Sequence, residues 1–347
     1  MSLDIRERAD ASGAPARPAA AAAALPVTLI GGYLGAGKTT LVNHLLRHAE
    51  GRRIAVLVND FGELPIDADL IEGAEAGLMR LAGGCVCCSF GDDLVETLMA
   101  LPAMTPPPEH VLLETSGVAL PAGVARTLGL LPALQLDGIV VMADASSLRQ
   151  RADDPYVGDT VQAQLADADL LVLNKRDLVA PAALAELHAW LARSVPRARV
   201  VEAERGRLPL AVVMGAGPGL GDASDAADDA DRTEPTAMLQ GPVRFTAAHD
   251  AARLFESCSL RFDHAVDADA LARSLADPAL GLVRAKGVLR DGQGRCCSVQ
   301  VVGARAEVRV LDRLASPEGR LACIAPRGRL ARERIEACVT AAARPSA

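Results

Sequence analysis

The segment Gly32-Tyr-Leu-Gly-Ala-Gly-Lys38-Thr39 limits what this chain can fold into more than any other stretch. Its spacing is G-x-x-x-x-G-K-[ST]. It follows the apolar run Val27–Ile30 and opens the helix-like stretch Thr39–His48, so it reads as a strand-to-helix turn wrapped around a phosphate chain. Glycines let the backbone approach closely, and amides at a helix start face negative charge. The expected phosphate-binding positions are Gly32, Gly35, Ala36, Gly37, Lys38, Thr39 and Thr40. Lys38 is expected to neutralise the β- and γ-phosphates, and Thr39 to hold Mg²⁺.

Such a loop needs a parallel sheet behind it. The short apolar runs Val27–Ile30, Ile54–Val58, Val111–Leu113, Gly138–Met142, Leu170–Leu173 and Arg199–Val201 read as buried parallel strands. Helix-like segments lie between them, among them Thr39–His48, Asp92–Leu101 and Pro181–Ser194. The alternation predicts an α/β fold over residues 26–214, a P-loop NTPase with a doubly wound, mostly parallel sheet. Residues 1–25, rich in Ala, Pro and Arg, read as a flexible tail, and Asp4, Glu7 and Asp10 argue against a signal peptide. Residues 215–240 carry Asp222, Asp225, Asp228, Asp229 and Asp231 and read as a solvated acidic linker. Beyond Gly241 come strand-like runs at Leu254–Phe262, Leu282–Leu289, Ser298–Val302, Glu307–Leu311 and Leu321–Ile324, with helices at Asp267–Leu275 and Ala331–Ala341. That texture predicts a small α+β domain with an antiparallel sheet over 241–342.

Composition narrows the function. Hydrophobic residues make up 50% of 347, enough for two cores, but aromatic residues only 2%. Aromatic platforms for stacking bases are therefore excluded. The net charge of −8 argues against a nucleic-acid partner. No apolar run reaches the roughly 18–20 residues that cross a bilayer, so no membrane partner is expected. The expected location is cytoplasmic, where thiols stay reduced and clustered cysteines serve metal or redox chemistry.

Asn174-Lys175-Arg-Asp177 ends an apolar run with the spacing N-K-x-D. A carboxylate in the plane of guanine accepts from both N1–H and the 2-amino group, and adenine offers no such pair. Asp177 is the expected guanine reader. Asn174 can reach the guanine edge or brace the phosphate loop, and the Lys175 stem can cover the ring. Glu114-Thr-Ser-Gly117 puts an acid at a strand end to support Mg²⁺, with a glycine amide to sense the γ-phosphate. Asp60 and Glu63 in Asn59-Asp-Phe-Gly-Glu63 sit where a switch loop belongs, and Asp144 ends another strand.

Cys85-Val-Cys87-Cys88 gathers three of the eight cysteines. Three thiolates suit tetrahedral Zn²⁺ with one further ligand, or Co²⁺ or Cu⁺, and an incomplete ligand set suits a site that loads and unloads. Buried packing and a redox thiol site are the competing readings. Cys258, Cys296, Cys297, Cys323 and Cys338 read as packing residues. His44 and His48 share a helix face without an intervening acid, so they read as a helix surface. His264 reads as loop polarity.

These residues together resemble the CobW-type GTPases, from the class that includes the nickel-inserting GTPases of hydrogenase and urease maturation. The resemblance spans about residues 26–342. It rests on the phosphate loop followed by Leu41-Val-Asn-His-Leu-Leu46, on Val58-Asn-Asp-Phe-Gly-Glu63, Gly84-Cys-Val-Cys-Cys88, Glu114-Thr-Ser-Gly117 and Asn174-Lys-Arg-Asp177, and on Val283-Arg-Ala-Lys-Gly287. It implies a metallochaperone that couples GTP binding and hydrolysis to delivery of a transition metal, Zn, Co or Fe. Cys85, Cys87 and Cys88 would be the metal ligands, Thr39 and Glu114 would serve Mg²⁺, and an apo-metalloprotein would be the client. Asp60 stands where the family usually has Glu, and Asp replaces the His-rich tract many members carry near the linker. A regulatory GTP-binding switch with a redox- or metal-sensing thiol cluster is the second reading. A small-molecule kinase is the third, and it has no need to select guanine.

Overall fold

The computed structural model describes residues 24–49, 51–58, 92–215, 254–311 and 318–344. Cys85, Cys87, Cys88, Asp60, Glu63 and the acidic linker lie outside the described residues, as does nearly all of the expected tail.

The amino-terminal part alternates strand and helix. Its elements are β1 (Leu25–Gly31), α1 (Lys38–Arg47), β2 (Ile54–Val58), α2 (Asp92–Ala100), β3 (His110–Glu114), α3 (Pro121–Leu128) and β4 (Leu134–Asp144). They continue with α4 (Leu148–Ala152), α5 (Gly158–Asp167), β5 (Leu170–Asn174), α6 (Pro181–Ser194), β6 (Arg199–Glu202) and α7 (Leu210–Met214). Six strands form one sheet in the order β2-β3-β1-β4-β5-β6, every pair parallel. The strands of its centre are buried along their length, as strands covered on both faces must be. Apolar clusters lie on both sides. One packs α2, α3, α5 and α6 against Val27, Leu29, Leu113 and Leu171, and the other packs α1 and α7 against Ile30, Leu112, Val140 and Val172.

The carboxyl-terminal part begins with β7 (Phe255–Phe262), β8 (Ala265–Val266) and α8 (Ala268–Leu275). It goes on with β9 (Arg284–Arg290), β10 (Cys296–Val302), β11 (Arg305–Leu311), β12 (Gly319–Pro326), α9 (Arg332–Ala341) and β13 (Ala343–Arg344). Five strands form an antiparallel sheet ordered β11-β10-β9-β12-β7. Helices α8 and α9 cover one face through Leu271, Leu275, Ile335 and Val339. Asp267 starts α8 because its carboxylate accepts from the Ala270 amide at 2.9 Å. Cys258, Cys296, Cys297 and Cys323 are buried free thiols and Cys338 is half-buried. Four of the five pack in or against this core.

The two parts share a core. Phe255, Val283, Val302 and Ile324 pack into the same apolar cluster as Ile30 and Val140. Val302 lies over Gly138, where an added Cβ would come within 3.1 Å of a Val302 methyl.

The observed strands differ from expectation mostly by extension. β4 begins at Leu134 rather than Gly138 and takes Asp137 into its interior. β1 starts one residue inside the expected tail. Helices α3, α5 and α7 were not anticipated.

Candidate functional site

The phosphate loop joins β1 to α1 at the carboxyl edge of the sheet, where open parallel sheets bind ligands. Its geometry is set by glycine. Gly32, Gly35 and Gly37 have φ of +127°, +75° and +101°, in the left-handed region. A Cβ on Gly32 would overlap the Met142 carbonyl, and one on Gly37 would overlap the Asn174 amide. Among the described residues, nothing lies within 4 Å of a Cβ added at Gly35. Gly37 caps α1 without any side-chain hydrogen bond, and the first turn holds no acidic residue. The amides there are left to an anion.

Lys38 is buried, and its Nζ donates to the Gly32 carbonyl at 3.0 Å, so the ammonium is folded back across the loop. Thr39 Oγ1 donates to Glu114 Oε1 at 2.9 Å. Glu114 ends β3 and is 2% exposed. A hydroxyl and a buried carboxylate facing each other at the phosphate edge are hard oxygen donors, and such donors suit Mg²⁺. Gly117 lies under Leu34, where an added Cβ would come within 2.5 Å of the leucine side chain. Thr40 is exposed on α1.

The base loop is tied to the phosphate loop by one side chain. Asn174 Nδ2 donates to the Ala36 carbonyl at 2.9 Å, and Asn174 Oδ1 accepts from the Gly206 amide at 2.8 Å. Of the two roles open to Asn174, the structure shows the brace. Lys175 sits at φ +60° and ψ 32°, a left-handed conformation that costs a non-glycine residue about 1 kcal/mol or more. Its Nζ donates to Asp144 Oδ2 at 2.7 Å. Asp177 lies in the single 3₁₀ turn Arg176–Leu178 and is exposed. The site thus gathers Gly32, Gly35, Ala36, Gly37, Lys38, Thr39, Glu114, Gly117, Asn174, Lys175 and Asp177 along one edge.

Sequence reasoning missed three partners of this edge: the Gly206 amide, the Lys175–Asp144 pair, and Arg151. Arg151 donates to the Leu34 carbonyl at 2.7 Å and stacks 5.1 Å from the Tyr33 ring centre. No spacing rule in the chain points to these, since each joins segments far apart in sequence. His44 and His48 also depart from a plain helix surface. Their rings lie 4.3 Å apart and are half-buried. Burial, and then the neighbouring His48, push the His44 pKa down to about 4.

A second polar cluster lies between the two parts; its cations come from the Val283–Gly287 motif, while no motif pointed to Asp137. Asp137 on β4 and Arg284 on β9 form an ion pair with side chains 0% and 3% exposed. Arg284 Nη1 also donates to the Val213 carbonyl at 2.8 Å. Thr28 Oγ1 donates to Asp137 Oδ2 at 3.2 Å and lies 2.8 Å from His110 Nε2. Burial pushes His110 down to about 3, against the opposing pull of Asp137. Burial alone would raise the Asp137 carboxyl, but Arg284 and Lys286 hold it down at about 2.

A family model described as the CobW/HypB/UreG nucleotide-binding domain matches residues 26–202. A second, the cobalamin synthesis protein cobW C-terminal domain, matches residues 255–342. The chain belongs to the CobW family. The zinc chaperone CobW of Pseudomonas aeruginosa is 37% identical over 225 residues, 56% of this chain and 60% of that one. The zinc chaperone CobW of Sinorhizobium sp. is 30% identical over 325 residues, 82% of this chain and 86% of that one. The zinc chaperone YjiA of Escherichia coli is 33% identical over 199 residues, 55% of this chain and 61% of that one. The chain thus spans less than two thirds of the Pseudomonas and Escherichia relatives. Arg284 falls within the residues that the second family model matches, and it ties the carboxyl-terminal sheet to Asp137. No described helix is long and apolar enough to cross a membrane.

Proposed function

We propose that this CobW-family chain binds and hydrolyses GTP and acts as a metallochaperone. It takes a transition metal, zinc or cobalt, at Cys85, Cys87 and Cys88 and hands it to an apo-metalloprotein client. The observation that carries the nucleotide half is Asn174, whose amide bridges the Ala36 carbonyl of the phosphate loop and the Gly206 amide beside the base loop. One residue therefore sets the distance between the phosphate cradle and Asp177. The relatives named zinc chaperones support zinc as the cargo.

The chain's own groups divide the work. Glycine amides at the start of α1 orient the triphosphate. Lys38 exchanges its bond to the Gly32 carbonyl for phosphate oxygens and offsets the charge that grows on the leaving diphosphate as GTP and water become GDP and phosphate. Thr39 and Glu114 would hold Mg²⁺, which when bound neutralises phosphate charge. Asp177 accepts from the guanine edge. The cysteine segment lies in sequence between Val58, which ends β2, and Asp92, which begins α2. In sequence it also lies between Asn59–Glu63 and Glu114–Gly117, the two segments read as sensing the nucleotide, and on this reading metal affinity and nucleotide state are linked, each altering the other by the same factor.

Metal titration in the presence of a non-hydrolysable GTP analogue, and again with GDP, tests the coupling. The two affinities should differ, and equality within error would sink it. Replacing Cys85 and Cys87 by Ala should abolish metal binding and leave nucleotide binding intact. Transfer of zinc to an apo-enzyme only with GTP separates delivery from a regulatory switch, which would transfer none.

A further inference from the structure

Among the described residues, Asp144 is an acid at this edge whose role neither the motifs nor the family assignment accounts for. It is the last residue of β4 and stands opposite Asn174, the last residue of β5, in the parallel register. The Ala145 amide donates to the Asn174 carbonyl at 2.9 Å, so the ends of the two strands are locked together. Every acceptor contact of the Asp144 side chain is accounted for by protein donors. Oδ1 takes the Ser146 amide at 3.0 Å and the Ser146 hydroxyl at 2.6 Å, and Oδ2 takes Lys175 Nζ at 2.7 Å.

Ser146, in the turn that follows β4, holds Oδ1, and the Asn174–Asp177 segment holds Oδ2 through Lys175. The pair that suits Mg²⁺ is Thr39 with Glu114, on α1 and β3. Asp144 lies on β4, across β1 from β3 in the sheet order. Lys175 meanwhile needs holding. It is in the left-handed region, where its backbone gains nothing from its own side chain. Its side chain is 35% exposed, while its partner's is 10% exposed. A charge-assisted bond to an acid held at both oxygens ties the end of the Lys175 side chain to the end of β4 and restrains the peptide that leads to Asp177.

We propose that Asp144 is a positioning residue for the guanine site, acting through Lys175, and that it is not a ligand of Mg²⁺. This rests on the guanine reading given above. The ion pair sets the plane of the Lys175 stem, and through the following turn it sets the aim of Asp177. Asp144 therefore governs discrimination at the base and leaves the phosphates untouched.

The test compares the full chain with Asp144→Asn, Lys175→Met and the double variant. Affinities are measured for GDP, for IDP (which lacks the 2-amino group), for ADP and for a GTP analogue, each in Mg²⁺ and in EDTA. Asp144→Asn should weaken GDP and the GTP analogue alike by roughly tenfold, as loss of one charge-assisted bond does, and equally with and without Mg²⁺. The preference for GDP over IDP should shrink, which a merely structural loss of stability would not do. Lys175→Met keeps an apolar stem that needs no acid, so adding Asp144→Asn to it should have little further effect. A loss confined to the triphosphate in Mg²⁺ would assign Asp144 to the metal and overturn the proposal. Additive losses in the double variant would also overturn it. Should Asp144→Asn fail to fold, unchanged GDP over IDP preference in Lys175→Met would overturn it alone. If the unaltered chain prefers GDP no more than ADP, the guanine reading itself fails, a result distinct from any of these.

Discussion

Replacing Arg284 with Met would remove a cation from a place where a carboxylate has no access to water. Asp137 is fully buried, and its ion-pair partner comes from the other part of the molecule, 147 positions away. Without Arg284, Asp137 keeps Thr28 Oγ1 at 3.2 Å, a His110 ring that burial holds neutral, and the longer-range pull of Lys286. Breaking a buried pair by removing one partner costs about 3–5 kcal/mol, because the survivor stays desolvated. Loss of the bond to the Val213 carbonyl adds about 1 kcal/mol. For domains of this size each kcal/mol lowers the melting temperature by roughly 2–4 °C. Replacing both members, Asp137→Leu with Arg284→Met, should restore much of the loss, since well-packed apolar residues of similar volume often match a buried pair. Urea unfolding of the two single variants and the double gives the coupling directly, with about 2–4 kcal/mol expected. Calorimetry should show the carboxyl-terminal part melting earlier in Arg284→Met, because the pair joins the two sheets. A loss below about 1 kcal/mol, or strictly additive effects, would refute the reasoning, since the pair would then act as a surface contact does.

Other residues give sharper local readouts. Gly37→Ala places a methyl on the Asn174 amide at φ +101°, and strain of about 1–3 kcal/mol should cut GDP affinity roughly 10- to 100-fold in a fluorescent-nucleotide titration, with helix content unchanged. Glu114→Gln should raise the Mg²⁺ concentration needed for half-maximal GTP hydrolysis by roughly tenfold while GDP binding in EDTA is unchanged, and an equal loss in EDTA would assign Glu114 to folding instead. His110 sets an acid limit. Unfolded, it takes a proton near pH 6.5, and folded it refuses one until about pH 3, so stability is full above pH 6.5 and falls as pH drops between those values. His110 should contribute about 1.4 kcal/mol per pH unit around pH 5, and the slope in urea unfolding of His110→Gln should be shallower by that amount while the part due to the depressed His44 remains. Asp137 gives stability that is complete above its ordinary 3.8 and is lost as pH falls through about 2, so its contribution cannot mask the test.

The sheet was legible because its strands obey one rule. Runs such as Ile54–Val58 and Leu170–Asn174 are buried on both faces, so they are continuously apolar and stand out. The antiparallel part was legible for another reason, the turn at Asp291–Gly294 between the strand-like runs Leu282–Leu289 and Ser298–Val302. Helix α5 was not legible. Its buried face includes Gly158 and Gln164, and Gln164 is buried because its amide donates to the carbonyls of Gly117 and Ala119 at 3.0 and 2.8 Å. Apolar periodicity has no way to register a face built by hydrogen bonds.

The same limit explains the site. Motif spacing identifies residues whose partner is a ligand, because the ligand's shape imposes the spacing. On the function proposed above, Lys38, Thr39 and Asp177 are of that kind. It cannot identify residues whose partner is another residue, because no local rule links Asp144 to Lys175 or Asp137 to Arg284. Asp137 shows the cost of reading a charge as a boundary: the strand begins three residues before it, at Leu134. A charge inside an apolar run signals burial with a distant counter-charge, and that signal becomes readable once β9 is placed. The two kinds of residue share strands. β3 starts at His110 in the buried cluster and ends at Glu114 beside Thr39, and β4 carries Asp137 within it and Asp144 at its end. Five residues of strand span about 13 Å between its end Cα atoms. The interface and the nucleotide edge are therefore two ends of the same rigid elements, so the carboxyl-terminal sheet is held by the strands that present the site.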